Sequence, residues 1–306
     1  MTESTRTTGS KLSFAATSLP GRITLAIIVV VWTMPAAGVL VTSLRRGDAA
    51  GSTGWWRAFT DPQLTFDNYR QVLDSSPTGG GMLESFWASL AITVPATVAP
   101  LVLAVAAAYV FAWTRFSRGE WLFLAVVGLA LVPVHMTLVP LVSVYTRGVE
   151  VAGVQLVPDL GLAGEWLGLW LAHTAFALPV AILLLRAAMA QVPANLVDAA
   201  RSDGAGHLDT LMRVVVPLTV PALVAVGALQ FLWVWNDFLV VSALLGEPDV
   251  GLSPLTVGLA ELVSTRGQNL ELLSAATVVT AAVPLVVYAC LQRLVVSGAR
   301  AATFDH

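Results

Sequence analysis

The sequence predicts an all-α polytopic membrane protein with six transmembrane helices. Its 306 residues are 57% apolar and only 11% charged, whereas soluble domains carry roughly 25% charged residues. Apolar runs of about eighteen or more residues recur along the chain, and each is long enough to cross a bilayer as a helix. The net charge of −3 argues against a nucleic-acid partner. The expected surroundings of the chain are the lipid bilayer.

The chain begins with a polar segment, residues 1–22, which is predicted to be a cytoplasmic tail. The first apolar span follows at about 23–44. A cleavable signal peptide is the alternative, because the small residues at 36–38 resemble a cleavage site. The apolar run is longer than the core of a typical signal peptide and contains Pro35, so an uncleaved first helix is favoured.

The five remaining spans are separated by loops of unequal length. Long polar loops at 45–84 and 246–271 precede the second and the last span. Pro133 and Pro140 are expected to bend the third span, because proline removes a helical hydrogen bond. The predicted spans are 85–113, 121–145, 166–186, 214–245 and 272–296. Together the six spans make one transmembrane domain, residues 23–296, and residues 297–306 form a cytoplasmic C-terminal tail.

Basic residues in the short loops predict the orientation of the chain. Two arginines lie in 113–120 and three in 186–213, against one each in 146–165 and 246–271. Cytoplasmic loops carry an excess of basic residues. Because six spans place both ends of the chain on one side, this distribution predicts that the N and C termini are cytoplasmic.

The longest polar interruption in the second half of the chain is the segment 187–213, between the fourth and fifth spans. Asn195 is predicted to cap a short helix, which the alanines at 199 and 200 favour. Gly204 can adopt the left-handed conformation that ends such a helix. A second helix is predicted to start at 209 or 210 and to continue into the fifth span.

The spacing of residues in this segment resembles that of a known family. The run reads Asp198-Ala199-Ala200, two residues, Asp203-Gly204-Ala205, eight residues, Val214, one residue, Val216-Pro217. It is similar to the cytoplasmic loop of ABC importer permeases, whose pattern is Glu-Ala-Ala, two residues, Asp-Gly-Ala, eight residues, Ile-x-Leu-Pro. Asp198 departs from the family's Glu but keeps its charge. The alternative is an ordinary capped helix in a loop.

This resemblance implies a type I, or MetI-like, permease fold in which the loop forms a coupling helix. In such permeases the helix sits in a groove of the ATP-hydrolysing subunit. The residues that the resemblance assigns to this contact are Asp198, Ala199, Ala200, Asp203, Gly204, Ala205 and Pro217. The implied partners are a second permease subunit, two ATP-binding subunits and an extracellular solute-binding protein, assembled at the bacterial cytoplasmic membrane.

Weaker resemblances indicate the substrate class. The segment 64–69 resembles the first external loop of sugar-importer permeases, and the run 235–238 resembles the corresponding span of the maltose type. The segments 173–179 and 264–269 look like the α-glucoside branch. A sugar is therefore the expected substrate, with a polyol or glycerol phosphate as the alternative. The resemblance implies that the loop 246–271 reaches toward the solute-binding protein, with a plain connector as the alternative. The C-terminal tail departs from the tail of the sugar branch.

The energy source is expected to lie outside the chain. Lys11 is the only lysine and is not in a phosphate-binding loop, so ATP is expected to be bound by partner subunits and the chain itself to be neither an enzyme nor a cofactor carrier. The single Cys290 and the lack of clustered ligand motifs argue against a metal site. An ion-driven transporter is disfavoured, because it would need carboxylates in mid-span and none lies deep in the six apolar runs. An intramembrane hydrolase is also disfavoured, because it would rest on His135 and Ser143 alone.

The polar residues near the end of the fifth span are candidates for the translocation path or an outer gate. They are Gln230, Trp233, Asn236 and Asp237. Counted along one helix, Gln230, Trp233 and Asp237 share a face, and Asp237 falls at the outer interface. An aromatic belt or a structural cap is the alternative. His135 and His173 are expected to hydrogen-bond to neighbouring helices or, alternatively, to form a proton relay.

Overall fold

The computed structural model describes residues 19–74, 81–114, 116–151, 153–246, 253–266 and 269–302. The chain divides into two compact units. One unit ends at Val72 and includes Val263–Val279, and the other spans Leu73–Leu262 and resumes at Thr280. Parts of the segments predicted above lie outside the described residues: 1–18 in the N-terminal tail, 247–252 and 267–268 in the loop 246–271, and 303–306 in the C-terminal tail.

Helices make up most of the described chain. In order they are α1 (Leu19–Ser43), α2 (Gly47–Ser52), α3 (Asp67–Asp74), α4 (Met82–Trp113), α5 (Gly119–Ala130), α6 (Val134–Arg147), α7 (Trp166–Met189), α8 (Ala194–Ser202), α9 (His207–Thr210), α10 (Val216–Trp235), α11 (Leu239–Leu245), α12 (Leu255–Arg266) and α13 (Leu270–Ala302). A 3-10 helix covers Trp55–Phe59, and a π-helical turn at Leu211–Val215 joins α9 to α10. An unpredicted antiparallel hairpin of β1 (Val149–Val151) and β2 (Val154–Val157) follows α6.

The predicted all-α membrane architecture is confirmed. In the described residues five helical stretches are long and apolar enough to cross a membrane, and there are six spans if α5 and α6 count as one. These two helices meet at 96°, so the third span is broken sharply and is not the single bent helix that the sequence predicts. The break lies at 131–133. Pro133 supplies no amide hydrogen and disfavours helical geometry in the residue before it.

The fifth span also differs from its prediction. A continuous helix over 214–245 is wrong, because α10 ends at Trp235 and α11 begins at Leu239. The carboxylate oxygen Oδ1 of Asp237 accepts hydrogen bonds from the amide groups of Leu239 and Val240 at 3.1 and 3.3 Å. This side chain satisfies two amide groups that a helix start leaves without partners, and it thereby begins a new helix.

Small residues allow α4 and α7 to pack closely within the second unit. Ala104 and Ala108 of α4 are fully buried, and Ala172 of α7 is also buried. The Trp170 indole of α7 donates a hydrogen bond to the carbonyl oxygen of Ala91 at 3.1 Å. These contacts make the α4–α7 pair the support for the helices on either side.

Two clusters of buried side chains form the core of this second unit. One includes Ile92, Leu169 and Val241, and it connects the start of α4 and α7 with α11. The other includes Leu185 and Val197, and it connects the ends of α4 and α7 with α8 and the start of α10. Each cluster lies beside one of the two groups of candidate functional residues.

The long loop after α1 is folded within the first unit. The guanidinium group of Arg45, only 2% exposed, donates to the carbonyl oxygens of Thr53 and Gly54 at 3.1 and 3.0 Å and to the Thr53 hydroxyl at 2.6 Å. The Asn68 side-chain amide donates to the carbonyl oxygens of Ser43 and Arg45, both at 2.8 Å. Arg45 and Asn68 thus hold the loop against the end of α1.

Candidate functional site

The polar segment after α7 folds as a helix, a glycine turn and a second helix. Pro193 precedes α8, and its N-terminus has no side-chain cap, so the prediction that Asn195 caps the helix is wrong. A proline at this position already sets the extended conformation that starts a helix. Gly204 has φ +87°, which confirms the predicted left-handed break. The next helix begins at His207, two residues before the predicted start.

α8 is held to the end of α4 by one hydrogen bond, and one buried side chain packs it against the ends of α4 and α7. Val197 is fully buried in the second core cluster. Arg201 Nη2 donates to the carbonyl oxygen of Trp113 at 3.0 Å, and the Trp113 indole donates to the carbonyl oxygen of Met189 at 3.1 Å. Both carbonyl groups lie at helix C-termini, where backbone acceptors lack helical partners. A displacement of α8 would therefore act on both long helices.

A second polar contact lies on the other side of the glycine turn. The hydroxyl group of Tyr109, a buried residue of α4, lies 3.2 Å from Nδ1 of His207. The π-helical turn that follows is a widened helical geometry of the kind often found at functional sites. Arg201 and His207 thus tether the two sides of the turn to the same helix.

The residues that the sequence assigns to coupling differ in exposure. Asp198, Ala199, Asp203 and Gly204 are exposed. The partly buried members of the motif are Ala200 and Ala205, and Pro217 is exposed in the first turn of α10. The turn therefore presents two carboxylates and a small-residue surface on one side, while Val197 and Arg201 anchor the other.

A cavity of about 530 Å³ lies between the α5–α6 break, α7 and α10. Its lining is mostly apolar, with Gln230, Trp233 and Thr137 among the residues that face it. Gln230 Nε2 donates to the carbonyl oxygen of Ala96 at 3.3 Å, which fixes the side chain at the cavity wall. The structure thus brings Gln230 and Trp233 to one cavity.

The other two path candidates are placed differently. Asn236 is exposed, and its side chain donates back to the carbonyl oxygen of Leu232 at 2.7 Å. Asp237 does not continue the helical face of Gln230 and Trp233, because α10 ends before it. Its Oδ2 atom instead lies 3.5 Å from Nε2 of His173 on α7. Asp237 therefore faces α7, and its side chain is only 12% exposed.

His173 is the functional candidate whose surroundings the sequence did not reveal. Its side chain is fully buried, packs edge-on against the Trp233 ring with centroids 5.7 Å apart, and faces the Asp237 carboxylate. Neither ring nitrogen makes a hydrogen bond to another described residue. The expected hydrogen bond from His173 to a neighbouring helix is replaced by this close approach to a carboxylate. A residue 64 positions away supplies the partner, so no local spacing signals it.

Within the part of the chain that the structure describes, no three His, Cys, Asp or Glu side chains are arranged to hold a metal ion. The chemistry available at both places is hydrogen bonding, apolar contact and one carboxylate–imidazole pair. Such groups can bind and position other molecules.

Comparison with known proteins assigns the chain to a family. Residues 85–301 match the family described as binding-protein-dependent transport system inner membrane component. The chain belongs to this family. The match includes the α8–Gly204 turn, the cavity and the His173–Asp237 pair.

Similar proteins with assigned names support the placement of this permease in the family. It is 44% identical to the osmoprotective compounds uptake permease protein GgtD of Synechocystis sp., over 92% of this chain and 90% of that protein. It is 40% identical to the α-glucoside transport system permease protein AglG of Rhizobium meliloti, over 85% of this chain and 65% of that protein. The predicted resemblance to ABC importer permeases of the carbohydrate type is therefore confirmed.

A solved structure supports the fold of the permease. A chain of a bacterial ABC transporter involved in the import of alginate superposes with a TM-score of 0.70. The alignment covers 95% of this permease and 99% of that chain, at 20% sequence identity. The predicted permease fold is therefore confirmed, and this permease has that fold with a sharp break between α5 and α6.

Proposed function

We propose that this permease is one membrane subunit of an ABC importer that moves a sugar across the bacterial cytoplasmic membrane. The observation that carries the proposal is the exposed turn around Gly204, whose inner side is bonded to the end of α4, which is in turn bonded to the end of α7. Such a turn can transmit a push from a docked partner directly into the transmembrane helices. The alternative of an ordinary capped loop helix gives no reason for these ties.

Docking of an ATP-binding subunit is proposed at the outer surface of the turn. Asp198, Ala199 and Asp203 are exposed there, and small side chains permit close approach of a partner surface. ATP-driven closure of the partner would move α8, and Arg201 and Val197 would carry the movement to the bundle. The partner must bind one conformation of the turn better than the other, since otherwise it shifts no equilibrium.

The proposed assembly contains this permease, a second permease, two ATP-binding subunits and an external solute-binding protein. The family description already specifies dependence on a binding protein. In this assembly ATP is bound by the partner subunits, and the permease itself binds no cofactor and catalyses no reaction. The proposed orientation, with both termini cytoplasmic, puts the Gly204 turn on the side where ATP is available.

The proposed substrate is an α-glucoside or a related small sugar. AglG, 40% identical, is designated an α-glucoside permease, and GgtD, 44% identical, an osmoprotectant uptake permease. The cavity beside α10 has about 530 Å³ and combines an indole ring with one amide side chain. Aromatic faces and fixed polar groups are suited to a sugar ring, which has apolar C–H faces and hydroxyl edges. A polyol or glycerol phosphate is the alternative substrate.

The proposed outer gate consists of Asn236, Asp237 and the cavity residues Gln230 and Trp233. These residues surround the break between α10 and α11, where the helix gives way to three non-helical residues. Broken helices at membrane depth occur where backbone lines a cavity or contacts protein. Movement of α11 about this break would open or close the route above the cavity.

The proposal is tested by purifying the tagged permease from its native membrane and reconstituting the complex in proteoliposomes. An ATP-binding subunit and a second permease are expected to co-purify. ATP-dependent uptake is expected for trehalose or sucrose, and not for cellobiose, mannitol or glycerol 3-phosphate. The double change Gly204→Pro with Ala200→Asp should abolish uptake while leaving membrane insertion intact. Uptake by the isolated permease that needs no ATP and is abolished by a protonophore would contradict the proposal.

A further inference from the structure

A second cavity, of about 370 Å³, lies where α4 ends, α5 begins and α7 ends. It is separate from the cavity at Trp233 and shares no lining residue with it. Three charged side chains line it, Arg118, Glu120 and Arg186, so two positive charges and one negative charge leave a net positive charge of one. The proposed transport function assigns no role to this cavity.

Arg186 is held in place at the cavity wall. Its guanidinium carbon lies 3.7 Å from the centre of the Phe123 ring, and Nε donates to the carbonyl oxygen of Phe111 at 3.4 Å. Stacking on an aromatic ring and one backbone hydrogen bond pre-organise the group and leave its terminal amino groups for another acceptor. Among the described residues, neither Arg186 nor Arg118 has a carboxylate within ion-pair distance.

The cavity borders the apolar surface of α5. Trp121, which lines it, is 76% exposed, and Leu122 and Leu124 continue an exposed apolar surface along the helix. Tryptophan concentrates at the level of lipid headgroups, and exposed leucines on a membrane helix contact acyl chains. The loop at 113–120 belongs to the side predicted to be cytoplasmic, where juxtamembrane arginines attract anionic lipids.

We propose that this cavity binds the headgroup of an anionic glycerophospholipid, phosphatidylglycerol in the simplest case. Arg186 and Arg118 bind the lipid phosphate, since guanidinium groups form short charge-assisted hydrogen bonds with phosphate oxygens. Glu120 accepts a hydrogen bond from a hydroxyl of the headgroup glycerol, which explains a carboxylate in an anion site. The acyl chains extend along Trp121 and Leu122. A free phosphate ion would use the arginines but neither the carboxylate nor the apolar border.

The lipid site would stabilise the junction of α4, α5 and α7, and the ends of α4 and α7 also support the Gly204 turn. Phe111 is two residues from Trp113, whose carbonyl group accepts the hydrogen bond of Arg201. A bound headgroup would therefore hold Arg186 and the end of α4 in one arrangement. The proposal stands without the transport assignment, because lipid binding can be measured on the permease directly.

The test uses the full-length permease with its co-purifying subunits, delipidated in detergent and examined by native mass spectrometry. Phosphatidylglycerol and phosphatidylcholine of equal chain length are titrated separately. The parent protein is expected to retain phosphatidylglycerol over phosphatidylcholine. Arg186→Gln and Arg118→Gln are each expected to lower phosphatidylglycerol retention about fivefold. Arg147→Gln, which removes an exposed charge from the far end of α6, serves as the matched control and should retain the lipid like the parent.

Arg186→Lys separates a specific site from general charge. It keeps the charge but loses the planar fork, so retention should fall between that of the parent and Arg186→Gln. Equal retention of the two lipids, or equal losses in Arg147→Gln and Arg186→Gln, would overturn the proposal. Displacement of the lipid by low millimolar inorganic phosphate would identify a free-anion site and would also overturn it. Near-ultraviolet circular dichroism of each variant should match the parent, so that a loss is not assigned to misfolding.

Discussion

The Nε2 atom of His173 lies 3.5 Å from the Oδ2 atom of Asp237. The pair connects the middle of α7 to the break between α10 and α11, and the two side chains are 0% and 12% exposed. The other carboxylate oxygen of Asp237 caps α11. The Asp237 side chain thus begins a helix and also faces a buried imidazole. It acts as a structural cap and is at the same time a candidate for the proposed outer gate.

Asp237→Asn and Asp237→Ala should have different effects. Asparagine can still cap α11, whereas alanine cannot, and loss of a cap costs about 1 kcal/mol. Both changes remove the charge beside His173, and a buried polar group left without a partner costs about 1–3 kcal/mol. We expect maximal uptake to fall in both variants and the thermal unfolding temperature to fall further in Asp237→Ala. Parental uptake by Asp237→Ala would exclude the outer-gate role.

Gly204→Ala should impair transport through the backbone alone. The φ angle of +87° strains any residue with a side chain, and a Cβ atom there would meet no neighbour within 4 Å. The left-handed conformation costs about 1–2 kcal/mol for such a residue. We expect ATP-dependent uptake to fall severalfold. Gly206→Ala is the matched control, because Gly206 has φ −69° and equal space. Equal uptake by the two variants would contradict a functional requirement for the turn geometry.

Arg201→Gln should uncouple ATP hydrolysis from transport. The change removes the exposed hydrogen bond from α8 to the carbonyl group of Trp113, which contributes about 0.5–1.5 kcal/mol. We expect hydrolysis by the reconstituted complex to continue, with fewer sugar molecules moved per ATP. Arg201→Lys should recover part of the parental number of sugar molecules moved per ATP.

Arg213→Gln is the control for this change. Arg213 is 82% exposed and pairs only across one helical turn with Asp209, at 3.3 Å, an arrangement worth about 0.3–0.5 kcal/mol. The number of sugars moved per ATP should stay at the parental value. A lower ratio in Arg213→Gln than in Arg201→Gln would assign coupling to surface charge and not to the α8–α4 tether.

Trp233→Ala should weaken substrate recognition more than it weakens folding. The indole lines the 530 Å³ cavity and packs against His173, yet it remains 37% exposed. Removal of one aromatic contact is expected to raise the KM for uptake about tenfold, equivalent to roughly 1.4 kcal/mol. Trp32→Ala, at an exposed position of α1, should leave the KM unchanged. An unchanged KM in Trp233→Ala would place the substrate path elsewhere.

Local chemistry explains most of what could be predicted for the segment 187–213. The motif of alanines, acids and glycine specified a short helix, a left-handed turn and a second helix, because these preferences depend on neighbouring residues only. The error at Asn195 arose because two residues near a helix start can each begin it, and Pro193 does so here. The ties of Arg201 and His207 join residues that are 88 and 98 positions apart, and no local rule reveals them.

The linear sequence was enough to predict a helical membrane protein, the approximate position of each span and the permease motif. Hydrophobic length, charge bias and residue spacing are properties of the linear chain, and the bilayer selects for them directly. The positions of the two breaks, the side chains that face the cavity and the approach of Asp237 to His173 became clear from the folded chain alone. Those features depend on packing between helices that are distant in the sequence, which brings Asp237 and His173 together across 64 positions.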